Sequence, residues 1–361
     1  MTTQSKATLM VMAGGTGGHV YPAIAVADYL HAQGWQIVWL ATEGGMENRL
    51  IADKPYAKAM ITMRGVRGKG LLGWVLLPFK LLLAFKQSLS AISRYQPNVV
   101  LGMGGFAAFP GGLMAKVLGK PLVIHEQNSV AGLTNTTLSH VANQVLAAFP
   151  AAFGDKAILV GNPVRDEITQ LPLPEMRYKN RTGKLKLLVV GGSLGAAALN
   201  EILPKALATL SEAQRPEVVH QAGEKMITTL DANYQQAGVK ADTKAYIQDM
   251  AAQYAWADVV ICRSGALTVA ELACVGVASV LVPFPHAVDD HQTTNAQYLS
   301  DNGAAILIQQ TAFSIEKASE ILSQLTRESC LVMANKAREL AKPEATASVA
   351  KTCMALAGMT A

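Results

Sequence analysis

The sequence predicts two doubly wound α/β domains in a single chain, and three observations carry that prediction. Short apolar runs alternate with helical segments along most of its length, the pattern of a parallel sheet covered by helices on both faces. A strand, a glycine-rich turn and a helix open the chain in "TLMVMAGGTGGHVYPAIAVA", and the same succession returns in "KLKLLVVGGSLGAAALNEIL". The third observation is length, since 361 residues are enough for two ordinary domains.

Taken in order, residues 8–13 read as a buried strand. Pro22 suits the first turn of a helix running to about Ala32, where Gly34 ends it. "WQIVWL" is the next strand, "NVVLGMGGFAAFPGGLMAKVLG" a strand, loop and helix, and "KPLVIHEQNSVAGLTN" a strand with a polar tip. A Gly-Asn-Pro turn in "AILVGNPVRDE" and the irregular, polar "QLPLPEMRYKNRTGK" behind it mark the junction. This predicts domains at 1–163 and 164–342. Alternation resumes through "EVVHQAG", "ADVVICRSGALTVAELACVG", "ASVLVPFP" and "AAILIQQ", and "ATASVAKTCMALAGM" reads as a terminal helix. The halves repeat an architecture rather than a sequence.

Composition narrows the function classes. Half of the residues are apolar, so an aliphatic core is easily filled. Cys262, Cys274, Cys330 and Cys353 lie far apart with no CxxC, which argues against a disulfide scaffold or a structural zinc and fits a reducing cytoplasm. "MTTQSKATLM" lacks the apolar core of a signal peptide, and no stretch reaches the roughly 20 apolar residues of a membrane span. The net charge of +5 is mild and no basic stripe occurs, so anionic small molecules or an anionic surface are expected and nucleic acid is not.

A strand feeding a glycine turn feeding a helix makes an anion site, because backbone amides approach an oxygen closely and the helix start adds partial positive charge. That construction occurs at residues 14–18, 102–105 and 191–195. Three such loops at strand ends favour phosphate binding over mere tight turns. None ends in Gly-Lys-Ser/Thr, which excludes a P-loop. "GTGGHV" has valine where a dinucleotide fingerprint needs glycine, and Glu43 lies too far on for its ribose acid, so a nicotinamide oxidoreductase is only an alternative and no cofactor is expected. In "RSGALTVAELACVG" Glu271 stands two turns into a helix, where its carboxylate could accept both hydroxyls of a ribose. Gln292 and Asn295 lie one helical turn apart, and their amides suit sugar hydroxyls. No Asp-x-Asp metal clamp occurs, so a departing diphosphate would rely on helix ends, amides and cations such as Arg165, without metal.

"GGTGGHVYPAIAVA", "HEQNSVAGLTN", "GNPVR", "GGSLGA", "RSGALTVAEL" and "PFPHAVDDHQTTNAQYL" together resemble the MurG family of bacterial N-acetylglucosaminyltransferases, in order and over nearly the whole chain. The resemblance implies the GT-B architecture, two Rossmann-like domains facing a cleft, with residues 343–361 returning to the first. It implies transfer of N-acetylglucosamine from UDP-GlcNAc to the 4-hydroxyl of the MurNAc of lipid I, with inversion, giving lipid II and UDP for peptidoglycan. The acceptor would be held by the first domain and the donor by the second. By motif, Thr16, Gly17 and Gly18 lie near the donor sugar, Asn128 contacts it, and Arg165 and Ser193 lie near its phosphates. Ile247 packs on uracil, Ala266, Leu267, Thr268, Val269, Ala270 and Glu271 hold the nucleotide, and Gln292 contacts the donor sugar. Gly14, Gly15, Gly104 and Gly105 form the loops expected to face the acceptor diphosphate. Leu194 replaces a usual Gln and Phe106 a usual Tyr, which puts one phosphate contact and one acceptor hydroxyl in doubt.

An attacking hydroxyl needs a base, and His19 stands where the first glycine loop meets its helix, whose positive end favours the neutral imidazole. Glu126, on the neighbouring strand tip, is the rival. Between the two glycine-loop units lies "LLGWVLLPFKLLLAF", too short to span a bilayer. A helix starting at Pro78 would bury Leu82, Phe85, Leu89 and Ile92 as one stripe. Leu71, Leu72, Trp74, Phe79, Leu81 and Leu83 are then left over, beside Arg64, Arg67, Lys69, Lys80 and Lys86. We expect Leu72, Trp74, Leu77, Phe79, Leu81, Lys69 and Lys80 to form a patch inserting beside anionic headgroups. The expected location is therefore peripheral, on the cytoplasmic face of the plasma (inner) membrane, with contacts to other cell-wall synthesis proteins. The alternatives are another GT-B lipid glycosyltransferase, of the diacylglycerol type, and a non-catalytic nucleotide-sugar-binding protein.

Overall fold

The computed structural model describes residues 7–63, 77–192 and 195–359. The chain divides into two units, Met1–Arg165 with Pro343–Ala361, and Asp166–Lys342. The junction lies at Arg165, two residues beyond the position read from the Gly-Asn-Pro turn.

In the first unit the elements run β1 (Thr8–Met12), α1 (Gly17–Ala32), β2 (Gln36–Thr42), α2 (Glu47–Leu50), β3 (Ala57–Ile61), α3 (Leu77–Tyr95), β4 (Val99–Gly102), α4 (Ala108–Val117), β5 (Leu122–Glu126), α5 (Leu133–Leu138), β6 (Gln144–Ala147) and β7 (Ile158–Leu159). The strands form one parallel sheet in the order β3-β2-β1-β4-β5-β6-β7. Leu9, Met10, Val11 and Met12 are all fully buried, as a strand covered on both faces requires. One face packs on α1, through Val20, Ala23, Val26, Ala27 and Leu30, together with the chain's last helix. The opposite face packs on Ala84, Ala91, Ile92, Ala108, Ala115 and Leu138 of α3, α4 and α5.

The second unit runs α6 (Asp166–Thr169), α7 (Pro174–Tyr178), β8 (Lys186–Val190), α8 (Ala197–Thr209), β9 (Glu217–Gln221), α9 (Ile227–Ala237), β10 (Asp242–Lys244), α10 (Met250–Trp256), β11 (Val259–Cys262), α11 (Ala266–Val275), β12 (Ala278–Leu281), α12 (His291–Ser300), β13 (Ile306–Leu307), α13 (Ile315–Gln324) and α14 (Arg327–Glu339). Its parallel sheet is ordered β10-β9-β8-β11-β12-β13. Asp258, fully buried ahead of β11, accepts from Arg181 and Arg327 and from the Lys186 amide, tying the N-terminal strand ends together. The last helix, α15 (Ala345–Leu356), belongs to the first unit, where Val349, Ala350, Cys353 and Met354 join the α1 core and Thr346 Oγ1 donates to Val164 O. All four cysteines are buried free thiols.

Three expectations need correction. α1 begins at Gly17 rather than near Pro22, because the glycines themselves take helical geometry, with His19 and Val20 amides both donating to Thr16 O. Pro22 therefore sits in the second turn, still close enough to the helix start to remove only one ladder bond. Strands β3, β6, β7 and β10 were not separately legible, being short or edge elements with mixed polarity. The stripe expected on α3 is rotated. Ala84, Ser88, Ala91 and Ile92 are buried, while Leu82 is 69% and Phe79 72% exposed, and Leu83 and Leu89 are also open. Small residues let α3 lie close to its neighbours, so packing distance rather than hydrophobicity chose the buried face. Leu81, expected in the open patch, is half-buried against the core, and Leu77 and Lys80 are half-buried too. Leu72, Trp74 and Lys69 lie outside the described residues. Among the described residues no helix is long and apolar enough to cross a membrane.

The strand orders reverse between β1 and β4 in the first sheet and between β8 and β11 in the second. Ligands bind open parallel sheets at such switch points, beyond the carboxyl ends of the strands. Three glycine loops, after β1, β4 and β8, stand there. At the first switch point the loops touch: a Cβ on Gly105 (φ +90°) would lie 2.4 Å from Gly14 O. Gly105→Ala is expected to cost about 3 kcal/mol or more, read as a lower urea midpoint by tryptophan fluorescence; an unchanged midpoint would show that the loops need not touch.

Candidate active site

In the first unit, Trp39 Nε1 donates to Ala13 O at 3.0 Å and the Met103 amide to Met12 O at 2.9 Å, so the first two glycine loops leave the sheet side by side. Gly15 and Thr16 are exposed, Gly17 and Gly18 half-buried, and Gly14 and Gly104 buried. α1 has no acidic residue in its first turn, and the Gly17 and Gly18 amides at its start lack intrahelical acceptors. An anion is the natural complement of such an end. His19 Nδ1 lies 3.1 Å from Gly14 O. A carbonyl only accepts, so Nδ1 carries the hydrogen, and in the neutral ring the lone pair is then on Nε2. An added Cβ on Gly104 (φ +93°) would stand 3.2 Å from His19 Nε2 and Cδ2, so the second loop is glycine where the ring needs room. Phe106, on the same loop, is exposed.

Glu126 ends β5 and is almost wholly buried. Its Oε1 accepts from the Asn128 amide at 3.0 Å and Asn128 Nδ2 at 3.3 Å, and its Oε2 from the Gly132 amide at 3.2 Å and Asn135 Nδ2 at 2.9 Å. The carboxylate is thus spent folding its own loop and holding Asn128 in place. His125 beside it donates from Nε2 to Gly161 O at 2.9 Å and accepts at Nδ1 from Gln127 Nε2 at 3.2 Å. That bond draws the Gly161–Asn162–Pro163 turn to the tip of β5. Beyond the turn, the Arg165 guanidinium sits 5.8 Å from the Tyr21 ring on α1, which brings a cation to the helix that starts at the first glycine loop.

In the second unit, Ser193 and Leu194 of the third glycine loop lie outside the described residues. The rest of the loop is held by β9: the Gly191 amide donates to Gln221 O, Gln221 Nε2 to Gly192 O, and a Cβ on Gly195 (φ +78°) would lie 2.2 Å from Ala222 O. Gln221 is buried and was not singled out from sequence, since nothing in "EVVHQAG" marks a glutamine that grips a loop 29 residues earlier. Across the switch point, Gly265 starts α11. Leu267, Thr268 and Ala270 are half-exposed on this helix, but Ala266 is buried and Val269 fully so, packed inward. Any ligand contact of Val269 would be through its backbone. Glu271 is buried and its Oε2 accepts from Tyr254 Oη of α10 at 3.0 Å, so Tyr254 is a second group that sequence reading missed.

The α12 amides divide. Gln292 accepts at Oε1 from the Phe284 amide at 2.9 Å, so its Nε2 hydrogens are what it has left to give a ligand. Asn295, expected beside it as a sugar contact, is fully buried and donates to Ser264 O at 3.3 Å; it pins α12 to the loop after β11. Ser264 Oγ completes the seam by donating to Gln292 O at 2.8 Å. Ile247 is buried in the segment between β10 and α10. Among the described residues no group of three or more His, Cys, Asp or Glu could hold a metal ion.

Burial holds two histidines neutral. Desolvation pushes His125 down to about 4, against smaller opposing effects of the Gly161 bond and Glu126, and pushes His220 to about 3. The unfolded chain takes up these protons as pH falls through about 6.5, whereas the folded chain does not until about 4 or below. Folding stability is therefore full above 6.5 and declines toward 4, by up to about 1.4 kcal/mol per pH unit for each histidine. Urea midpoints at pH 7, 6 and 5 are expected to fall in that order; a flat series would show the two side chains to be accessible to protons.

The glycosyltransferase family 28 N-terminal domain matches residues 9–147, and the glycosyltransferase family 28 C-terminal domain matches residues 186–352. A protein of Nitrosospira multiformis is 56% identical over 349 residues, covering 96% of this chain and 98% of that one. A protein of Cupriavidus metallidurans is 57% identical over 351 residues, covering 97% and 98%. Both are named UDP-N-acetylglucosamine–N-acetylmuramyl-(pentapeptide) pyrophosphoryl-undecaprenol N-acetylglucosamine transferase. The crystal structure of Acinetobacter baumannii MurG superposes with a TM-score of 0.85 at 43% identity, covering 97% of this chain and 99% of that one. With both halves matched in order and its near relatives more than half identical along almost their full length, the chain belongs to glycosyltransferase family 28, in its MurG branch.

Proposed function

We propose that the chain transfers N-acetylglucosamine from UDP-GlcNAc to the 4-hydroxyl of the MurNAc of lipid I, with inversion at the anomeric carbon, giving lipid II and UDP. The relatives' names supply the transferred sugar and the pyrophosphoryl-undecaprenol acceptor. The observation that carries the mechanism is the placement of His19: Nδ1–H is directed to Gly14 O, which in the neutral ring leaves Nε2 as an acceptor beside the second glycine loop. His19 is then the base. Its Nε2 takes the proton as the acceptor oxygen bonds to the anomeric carbon, and the electron pair of the breaking bond leaves on UDP. Glu126, with its oxygens filled by Asn128, Gly132 and Asn135, holds the loop that presents Asn128 to the donor sugar.

In this reading Gly14, Gly15, Gly104 and Gly105 face the acceptor diphosphate, and Thr16, Gly17 and Gly18 lie near the donor sugar. Arg165 and the third loop, with Ser193, stabilise the departing UDP without metal. On the donor side Ile247 meets uracil, residues 266–271 hold the nucleotide with Glu271 on the ribose, and Gln292 donates to the sugar. Transfer of labelled sugar to a lipid I analogue is expected to survive EDTA in the wild type, and His19→Ala to lower turnover by about 10²-fold or more. No wild-type product would sink the reaction assignment; full turnover in the variant would sink the base assignment.

A polyprenyl-linked acceptor brings the enzyme to a membrane, and we place it peripherally on the cytoplasmic face of the inner membrane. The open face of α3, with Phe79, Leu82 and Leu83 beside Lys80 and Lys86, supports that reading, and Leu82 takes the place given from sequence to Leu81. Changing Phe79 and Leu82 together to Ser is expected to weaken binding to anionic vesicles about tenfold or more, with transfer to a water-soluble acceptor analogue unchanged. Undiminished vesicle binding in a flotation assay would move the contact elsewhere.

A further inference from the structure

Glu47 is a fully buried carboxylate of the first unit that forms no ion pair among the described residues. Its Oε1 accepts from the Thr42 amide at 2.8 Å and from Thr42 Oγ1 at 2.6 Å, while Oε2 meets no hydrogen-bond partner among the described residues. Capping the end of β2 needs one oxygen only, and a neutral amide would serve. A buried carboxyl group with an unsatisfied oxygen is costly and calls for a reason.

The surroundings supply one. An added Cβ on Gly14 would stand 3.1 Å from Glu47 Cδ, Oε1 and Oε2 alike, so the carboxylate lies face-on against Gly14. On its far side an added Cβ on Gly45 would fall 2.2–2.4 Å from the same three atoms. Gly14 is thus wedged between the Glu47 carboxylate and Gly105, and its carbonyl is the oxygen that receives His19 Nδ1–H. We propose that Glu47 is a positioning residue for the transfer: it fixes the Gly14 peptide that orients His19, and its negative charge, one peptide away, stabilises the imidazolium formed when Nε2 takes the acceptor's proton. The inference rests on the reading of His19 as base. It resembles the carboxylate–histidine arrangement of hydrolytic triads in logic, with a peptide group interposed.

Glu47→Gln keeps the acceptor for Thr42 and removes the charge, and Glu47→Asp keeps the charge and withdraws it. Both are compared with His19→Ala and with the Glu47→Gln/His19→Ala double variant in the full chain, at saturating UDP-GlcNAc and lipid I analogue. Glu47→Gln is expected to lower kcat about tenfold or more with the UDP-GlcNAc KM within about twofold, and to add nothing in the His19→Ala background. Glu47→Asp is expected to recover part of the loss. Wild-type kcat in Glu47→Gln, a loss carried by KM, or a loss that multiplies with that of His19→Ala would overturn the proposal. If Glu47→Gln shows no cooperative melting, Thr42→Val replaces it by removing the hydroxyl that orients Oε1: lower kcat at unchanged KM supports the role, and wild-type kcat overturns it. Wild-type turnover in His19→Ala alone would remove the base assignment and this inference together.

Discussion

The alpha carbon of Gly105 rests against the peptide of Gly14, at a distance that no side chain could share. Parallel strands β1 and β4 are neighbours in the sheet, so the loops that leave their carboxyl ends compete for the same space. Glycine on both sides resolves the competition, and the two loops then behave as one rigid surface. Once Gly14 is fixed, its carbonyl fixes His19, and His19 in turn requires Gly104 to be bare. The site geometry of the first unit follows from that single close approach.

The second unit reaches a similar surface by other means. Its third glycine loop is gripped by the neighbouring strand, through Gln221 and the Ala222 carbonyl, rather than by another glycine loop. Across its switch point, α11 starts at Gly265 and is sewn to α12 by Ser264, Gln292 and Asn295. One architecture has been built twice, with backbone packing doing the fixing in one case and side-chain amides in the other. Both place helix starts, poor in acidic residues, at the edge where phosphates bind parallel sheets.

The two candidate bases illustrate how chemistry is assigned by environment. Glu126 ends β5 and His19 lies in the first turn of the helix after β1, with β4 between the two strands, and residue type alone leaves either able to take a proton. Hydrogen bonding separates them. Four donors from residues 128–135 occupy the carboxylate, whereas among the described residues a single carbonyl meets the imidazole, at Nδ1. A group whose lone pairs already hold a loop together cannot accept a proton without loosening that loop.

The strand–glycine–helix succession, the doubling of the architecture and the positions of the three glycine loops were legible in the sequence, because each depends on local rules: alternation of apolar runs, and the freedom of glycine at a turn. The resemblance of the long motifs carried the family. Which face of α3 is buried was not legible, because small side chains at Ala84, Ser88 and Ala91 outweighed the larger apolar ones once neighbouring helices set the distance. Nor could the sequence separate Gln292 from Asn295, whose partners, the Phe284 amide and the Ser264 carbonyl, lie on loops that the fold brings to α12. Gln221, Tyr254 and Glu47 were invisible for the same reason: each acts on a partner brought to it by the sheet order, and only the tertiary structure sets that order.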